Sequence, residues 1–178
     1  LMVVERPGEA VGSILWDGAA VLVDHLWRHE AARFRDPRAR VLELGAGVGL
    51  CGVWAACEGS DVVVTDLPSC VDLLWANVAA NAQQIVKGGG SCSARALDFN
   101  DVTAVQKLVA QLGSDGPLTL VASDVVYNET VAPLTAAVAA IFRVRPDATM
   151  YLSYKPRDAA NERGFFTSLE ADPGVEFT

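Results

Sequence analysis

Four acidic residues stand at or beside the ends of short apolar runs: Glu43, Asp66, Asp98 and Asp124. Glu43 belongs to the stretch Val41-Leu42-Glu43-Leu44-Gly45-Ala46-Gly47-Val48-Gly49, in which three glycines alternate with small residues. An apolar run, a glycine-rich turn and a following apolar helix form the unit that holds nucleotide-like ligands in open α/β sheets. Glycine serves two ends there, since the turn needs backbone angles that a Cβ obstructs and the ligand must approach the main chain closely. The spacing G-x-G-x-G is one residue short of a dinucleotide fingerprint, and a carboxylate two residues before the first glycine would repel a pyrophosphate. A ligand that carries an ammonium and a sulfonium would be held. S-adenosylmethionine carries both, and it is the cofactor these residues predict. The alternative is a glycine-rich turn with no ligand.

Asp66 lies about twenty residues beyond the glycines, where such folds place a ribose-binding carboxylate. A turn or helix-start aspartate is the alternative. Asp98 and Phe99 pair an acid with an aromatic ring at a strand end and could bracket an adenine. Asp98 could instead cap the helix that follows. His25 and His29 lie four apart on a helix, but the sequence offers no third ligand, so no metal site is expected.

The elements that must position these residues alternate. Residues 1–5 and 13–16 read as strands of an N-terminal hairpin around Arg6-Pro7-Gly8, ahead of a body spanning 17–178. Asp17 is a candidate N-cap for a helix with Ala19, Leu22, Val23, Leu26 and Trp27 on one side. Strands are expected at 40–44, 61–65, 92–96, 118–122 and 149–154. Helices are expected at 48–57, 69–84, 101–112, 130–142 and 158–171, with Pro133 as an early break and 87–90 as a flexible loop. A sixth strand would begin at 175 as the sequence stops. The pattern predicts a single α/β domain with a Rossmann-like, doubly wound, mostly parallel sheet and its ligands at the carboxyl ends of the strands.

Composition narrows the partners. The 178 residues carry a net charge of −8, which argues against nucleic acid as the main partner and suits a cationic substrate and an ordinary solvated surface equally well. No apolar run reaches the ~20 residues of a membrane span. The four cysteines show no metal-type spacing and read as reduced thiols. No secretory leader is visible. Together these predict a cytoplasmic protein, with the nucleus as the alternative.

The chain also resembles a known family. Glu43 to Gly49 is similar to the first motif of seven-β-strand, class I methyltransferases. Trp16-Asp17-Gly18-Ala19 and Ser123-Asp124-Val125-Val126-Tyr127 resemble, more narrowly, methyltransferase family 16, the protein-lysine methyltransferases of the methyltransferase-like 21 type. The resemblance implies that Glu43, Gly45 and Gly47 line the methionine part of S-adenosylmethionine, with S-adenosylhomocysteine as product. It implies that Asp66 binds the ribose, that Asp98 and Phe99 bracket the adenine, and that Trp16 and Ser123 close the pocket. Asp124 and Tyr127 would face a substrate lysine on a protein such as a chaperone, an ATPase or an elongation factor, and the enzyme is expected to act as a monomer. That family's sheet ends in a paired sixth and seventh strand, so a shortened C-terminal hairpin is expected here. The competing readings are a class I methyltransferase for a small molecule or another protein side chain, and a non-catalytic cofactor-binding module.

Overall fold

Successive side chains on a strand point to opposite faces of a sheet, and this chain is apolar on both. The computed structural model describes residues 1–172, apart from the side chain of Asn128. Five strands, β1 (Arg40–Leu44), β2 (Asp61–Asp66), β3 (Ser91–Ala96), β4 (Leu118–Ser123) and β5 (Thr149–Ser153), pair in the order β3-β2-β1-β4-β5. Every pairing is parallel. Leu44 faces Thr65 on one side and Ala122 on the other, so the carboxyl ends of the three central strands form one rim. The chain steps outward from β1 to β3 and then returns to place β4 beside β1. The crevice at that reversal is where such sheets bind ligands.

One face is covered by α1 (Asp17–His29), α2 (Ala31–Phe34), α3 (Leu50–Glu58), α4 (Val71–Ala80) and α5 (Ala82–Gly88). Their apolar sides meet Val41, Val62, Val64 and Val121 of the sheet. The other face is covered by α6 (Val102–Gln111), α7 (Val131–Val144) and α8 (Ala159–Glu170), which pack on Leu42, Leu44, Val63, Leu118, Leu120 and Ala122. The doubly wound parallel sheet expected from the sequence is therefore present.

Several local expectations are corrected. The N-terminal hairpin does not form: residues 1–16 contain no strand, and Val11–Ser13 is a short 3-10 turn. The extended segment pairs instead with two asparagine side chains. The Met2 amide donates to Asn81 Oδ1 at 2.8 Å and the Met2 carbonyl accepts from Asn81 Nδ2 at 2.7 Å. Val4 makes the same pair of bonds with Asn77, at 2.6 and 3.0 Å. One asparagine in α4 and one at its C-terminal end, four residues on, thus take the place of a neighbouring strand. The single helix expected at 69–84 is three pieces, a 3-10 turn at Pro68–Cys70, then α4 and α5, with the break at Asn81. Asp17 is the first residue of α1 rather than its N-cap, which is Trp16. Gly49 is still in the turn, with φ at 79°, so α3 starts at Leu50. Pro133 does not break α7, because it is the third helical residue, where its missing N–H costs no intrahelical bond. Asp101, not Asp98, caps α6 by accepting from the Ala104 amide at 2.9 Å. The expected sixth strand lies outside the described residues.

Replacing both Asn77 and Asn81 by alanine should release the N-terminal segment. The expected loss is about 2–3 kcal/mol, since backbone groups of residues 2 and 4 lose their partners. Urea unfolding and amide hydrogen exchange at Met2 and Val4 would measure it; unchanged protection at those amides would refute the pairing.

Candidate functional site

Backbone geometry at the end of β1 makes the floor of the site. Gly45 and Gly47 have φ of 61° and 54°, in the left-handed region. A Cβ on Gly45 would stand 2.6 Å from Val125 Cγ1. Neither position admits another residue without displacement. The turn opens into a cavity of about 410 Å³ at the carboxyl ends of the central strands, within the usual range for ligand pockets.

Nine of the ten residues expected from the sequence line this cavity: Trp16, Gly45, Gly47, Asp66, Asp98, Phe99, Ser123, Asp124 and Tyr127. Asp66 ties the end of β2 to the glycine turn, its Oδ2 accepting from the Gly47 amide and its Oδ1 from the Leu67 amide, both at 2.7 Å. The main-chain and side-chain amides of Asn100 donate to Asp98 and hold its carboxyl below the usual range, so it is charged at neutral pH. Tyr127 is half-buried, and burial pushes its hydroxyl up. Thr130 fixes it in place, its Oγ1 accepting from the Tyr127 amide at 3.1 Å and donating to the Val125 carbonyl.

Glu43 is the exception. It does not line the cavity and is only 1 % exposed. Strand alternation puts it on the same face as Val41, under α3, rather than on the rim. Its Oε2 accepts from the Gly52 amide at 2.8 Å. Burial raises its pKa to about 8. The expectation that Glu43 lines a methionine subsite is therefore corrected: it acts from behind the wall, on the helix that follows the turn.

Asp124 follows β4 in a left-handed conformation, with φ of 54°, unusual for a residue with a side chain. Its amide donates to the Ser153 carbonyl at 2.9 Å. One carboxylate oxygen accepts from the Gly18 amide at 3.3 Å and the other from Arg157 Nη2 at 3.2 Å. The Arg157 guanidinium also lies 5.6 Å from the centre of the Trp16 ring. Sequence reasoning missed Arg157, which lies 33 residues from Asp124 and belongs to no motif.

A second missed feature is the strap formed by residues 10–16. Ala10, Val11, Gly12, Ile14 and Leu15 join Trp16 as cavity lining. The Trp16 indole donates to the Val11 carbonyl at 3.0 Å, and Glu5 accepts from the Leu15 amide at 2.6 Å. Gly12 presses its backbone on the glycine turn; a Cβ there would stand 3.3 Å from Gly47 Cα.

Asp66, Asp98, Asp124 and Glu129 line the cavity, and no Lys, Arg or His does among the described residues. An anionic cleft with a bare backbone floor and an aromatic wall at Phe99 fits a cationic ligand with an adenosine-like part, and it disfavours a pyrophosphate. The His25 and His29 rings contact each other, 4.9 Å apart, and no third metal ligand joins them among the described residues.

Comparison with known proteins agrees with this geometry. A family model described as lysine methyltransferase matches residues 1–172. The mouse EEF1A lysine methyltransferase 3 is 33 % identical over 160 residues, covering 89 % of this chain and 62 % of that protein. Zebrafish protein N-lysine methyltransferase METTL21A is 40 % identical over 74 residues, 42 % of this chain and 33 % of its own length. Rat histone-arginine methyltransferase METTL23 is 40 % identical over 73 residues, 39 % of this chain and 31 % of its own. The chain thus spans less than two thirds of the length of these relatives.

The state of Glu43 is testable through stability. The folded protein keeps a proton on Glu43 up to about pH 8, whereas the unfolded chain loses it near 4.5. This contribution is fully present below the lower value and is lost as pH rises through the upper one, by at most about 1.4 kcal/mol per unit between them. Glu43→Gln keeps an acceptor for Gly52 and should flatten that slope. Urea unfolding of both proteins at about pH 5 and about pH 8 would show it; parallel losses in the two would refute the buried acid.

Proposed function

We propose that this chain, which belongs to the lysine methyltransferase family, uses S-adenosylmethionine to methylate the side-chain amine of a protein lysine. The observation that carries the reading is the anionic cavity at the switch point of the sheet, lined by four acids and, among the described residues, by no basic side chain, with Arg157 meeting Asp124 only from the rim. A methyl donor is what the family implies; the sulfonium and ammonium of S-adenosylmethionine match the sign of the cavity, and its adenine matches Phe99. EEF1A, named in the mouse relative, is the first candidate substrate. The four unpaired thiols suit a reducing cytoplasm, and the reading takes the chain as a monomer acting on another protein.

The cofactor, when bound, supplies a methyl carbon already activated by a sulfonium. The work left to the protein is placement. Gly45 and Gly47 leave the backbone open to close approach, Asp66 offers a carboxylate to the ribose hydroxyls, and Asp98 with Phe99 frames the base. The strap at 10–16 shields that side from water. Asp124 and Tyr127 orient the amine for in-line attack. A free lysine has a pKa of about 10.4, so its amine must first lose a proton. An opposite charge nearby favours the ammonium, so Asp124 serves as an orienting group and not as an efficient base.

A second reading, transfer to an arginine, has one observation behind it: Asp124 and Trp16 already hold a guanidinium, that of Arg157. Locating a labelled methyl group on lysine or on arginine of a modified protein decides between them.

Calorimetric titration with S-adenosylhomocysteine should show micromolar binding, with none for NAD as control. Asp66→Ala should weaken it at least tenfold, the loss of about one charged hydrogen-bonding partner. Asp124→Asn keeps the left-handed backbone tolerable and should leave this binding within about twofold, while transfer from labelled cofactor falls about a hundredfold for want of orientation. Full transfer by Asp124→Asn would sink the role assigned to Asp124.

A further inference from the structure

The cation already seated on Asp124 belongs to the chain itself. Arg157 Nη2 is 3.2 Å from Asp124 Oδ1, and the guanidinium lies over the Trp16 ring. A carboxylate beside an aromatic face is the combination that recognises an ammonium. The two ends of this contact differ in firmness. Asp124 is fixed by its bonds to Gly18 and Ser153, and its side chain is 8 % exposed. On the other side, buried Glu162 accepts from the Tyr154 hydroxyl and from the Arg157 amide at 3.0 Å, which pins the backbone of the turn. The Arg157 side chain is 37 % exposed and reaches Asp124 from the rim. An ion pair at that exposure is weak enough to be exchanged for another cation.

We propose that Arg157 is a tethered occupant of the substrate-ammonium site, and that a lysine side chain enters by displacing its guanidinium from Asp124 and Trp16. The proposal rests on the reading of this chain as a lysine methyltransferase. It makes Arg157 a specificity-setting residue: an amine must compete with a cation that is always present. A side chain that binds weakly, or a lysine without favourable surroundings on its own protein, loses that competition.

The probe is n-butylammonium, which reproduces the end of a lysine side chain. Binding is followed through the Trp16 indole N–H resonance, at constant ionic strength, with S-adenosylhomocysteine present and absent. In Arg157→Gln the probe should bind roughly five- to tenfold more tightly than in the unaltered protein, as loss of one exchangeable ion pair and cation–π contact would give. Equal or weaker binding, with S-adenosylhomocysteine affinity retained, overturns the proposal. Arg157→Lys provides the second arm. It puts an amine where the guanidinium was, and with S-adenosylmethionine that residue should methylate itself. Its nitrogen lone pair forms the N–C bond as the S–C bond breaks, the bonding pair stays on sulfur, and the proton goes to solvent. A methyl group mapped to position 157 supports the proposal. Tighter probe binding in Arg157→Gln, combined with no methylation of any amine by any variant, leaves displacement standing and overturns the lysine reading instead.

Discussion

The contact on which the rest of the site depends is hidden behind it. The Glu43 carboxyl lies between β1 and α3 and accepts from the Gly52 amide. Room for it exists only because position 52 is glycine; a Cβ there would stand 2.7 Å from Glu43 Oε2 and 2.2 Å from Val64 Cγ1. The first amides of a helix have no partner within the helix, and here a buried acid of the preceding strand serves one of them. Strand end and helix start are thereby fixed to each other. The glycines between them stand at positive φ and form the floor of the cavity. A buried acid that stays protonated near neutrality avoids the cost of an unpaired buried charge, which is the condition on which this arrangement exists.

Outside that contact the site is assembled from parts with different firmness. Asp66 bonds to two amides and belongs to the floor. Asp124 bears the local cost of a left-handed residue with a Cβ, sustained by the backbone bond to Ser153 and the approach of Gly18. A Cβ on Gly18 would come 2.5 Å from Asp124 Oδ2, so the start of α1 is shaped to that carboxylate. The strap and Arg157 make the rim. The asparagines of the α4–α5 region hold residues 2 and 4 ahead of the strap and Glu162 holds the Arg157 backbone, while Val11, Trp16 and the Arg157 side chain are exposed at the mouth. A firm floor with an exchangeable rim is the arrangement expected of a cleft that must admit a substrate and then shield it.

Much of this was legible in the chain. The alternation of short apolar runs with longer amphipathic ones predicts the parallel sheet, and the positions of Asp66, Asp98, Phe99 and Asp124 after those runs predict the rim. The Trp16, Ser123 and Tyr127 assignments came from the family resemblance, and the cavity includes all three. Three features were not legible. Glu43 read as a rim acid because it stands near the glycines, but side-chain alternation turns it inward. The N-terminal hairpin read from alternation is an extended segment whose partner is a helix, since Asn77 and Asn81 satisfy the same backbone groups that a strand would. Arg157 carried no pattern at all.

The division follows from the range of the interactions. Periodicity, glycine placement and turn chemistry act over a few residues, so the sequence by itself determined the order of elements, their parallel pairing and the edge of the sheet on which acids collect. Contacts between residues far apart in the chain are decided when layers pack. Only the tertiary structure decided that Glu43 would be buried under α3, that Asn77 and Asn81 would hold residues 2 and 4, and that the Asp124 carboxylate would meet a guanidinium from the turn beyond β5. In each case a polar group removed from water must find a partner, and which partner it finds depends on the faces that packing brings together.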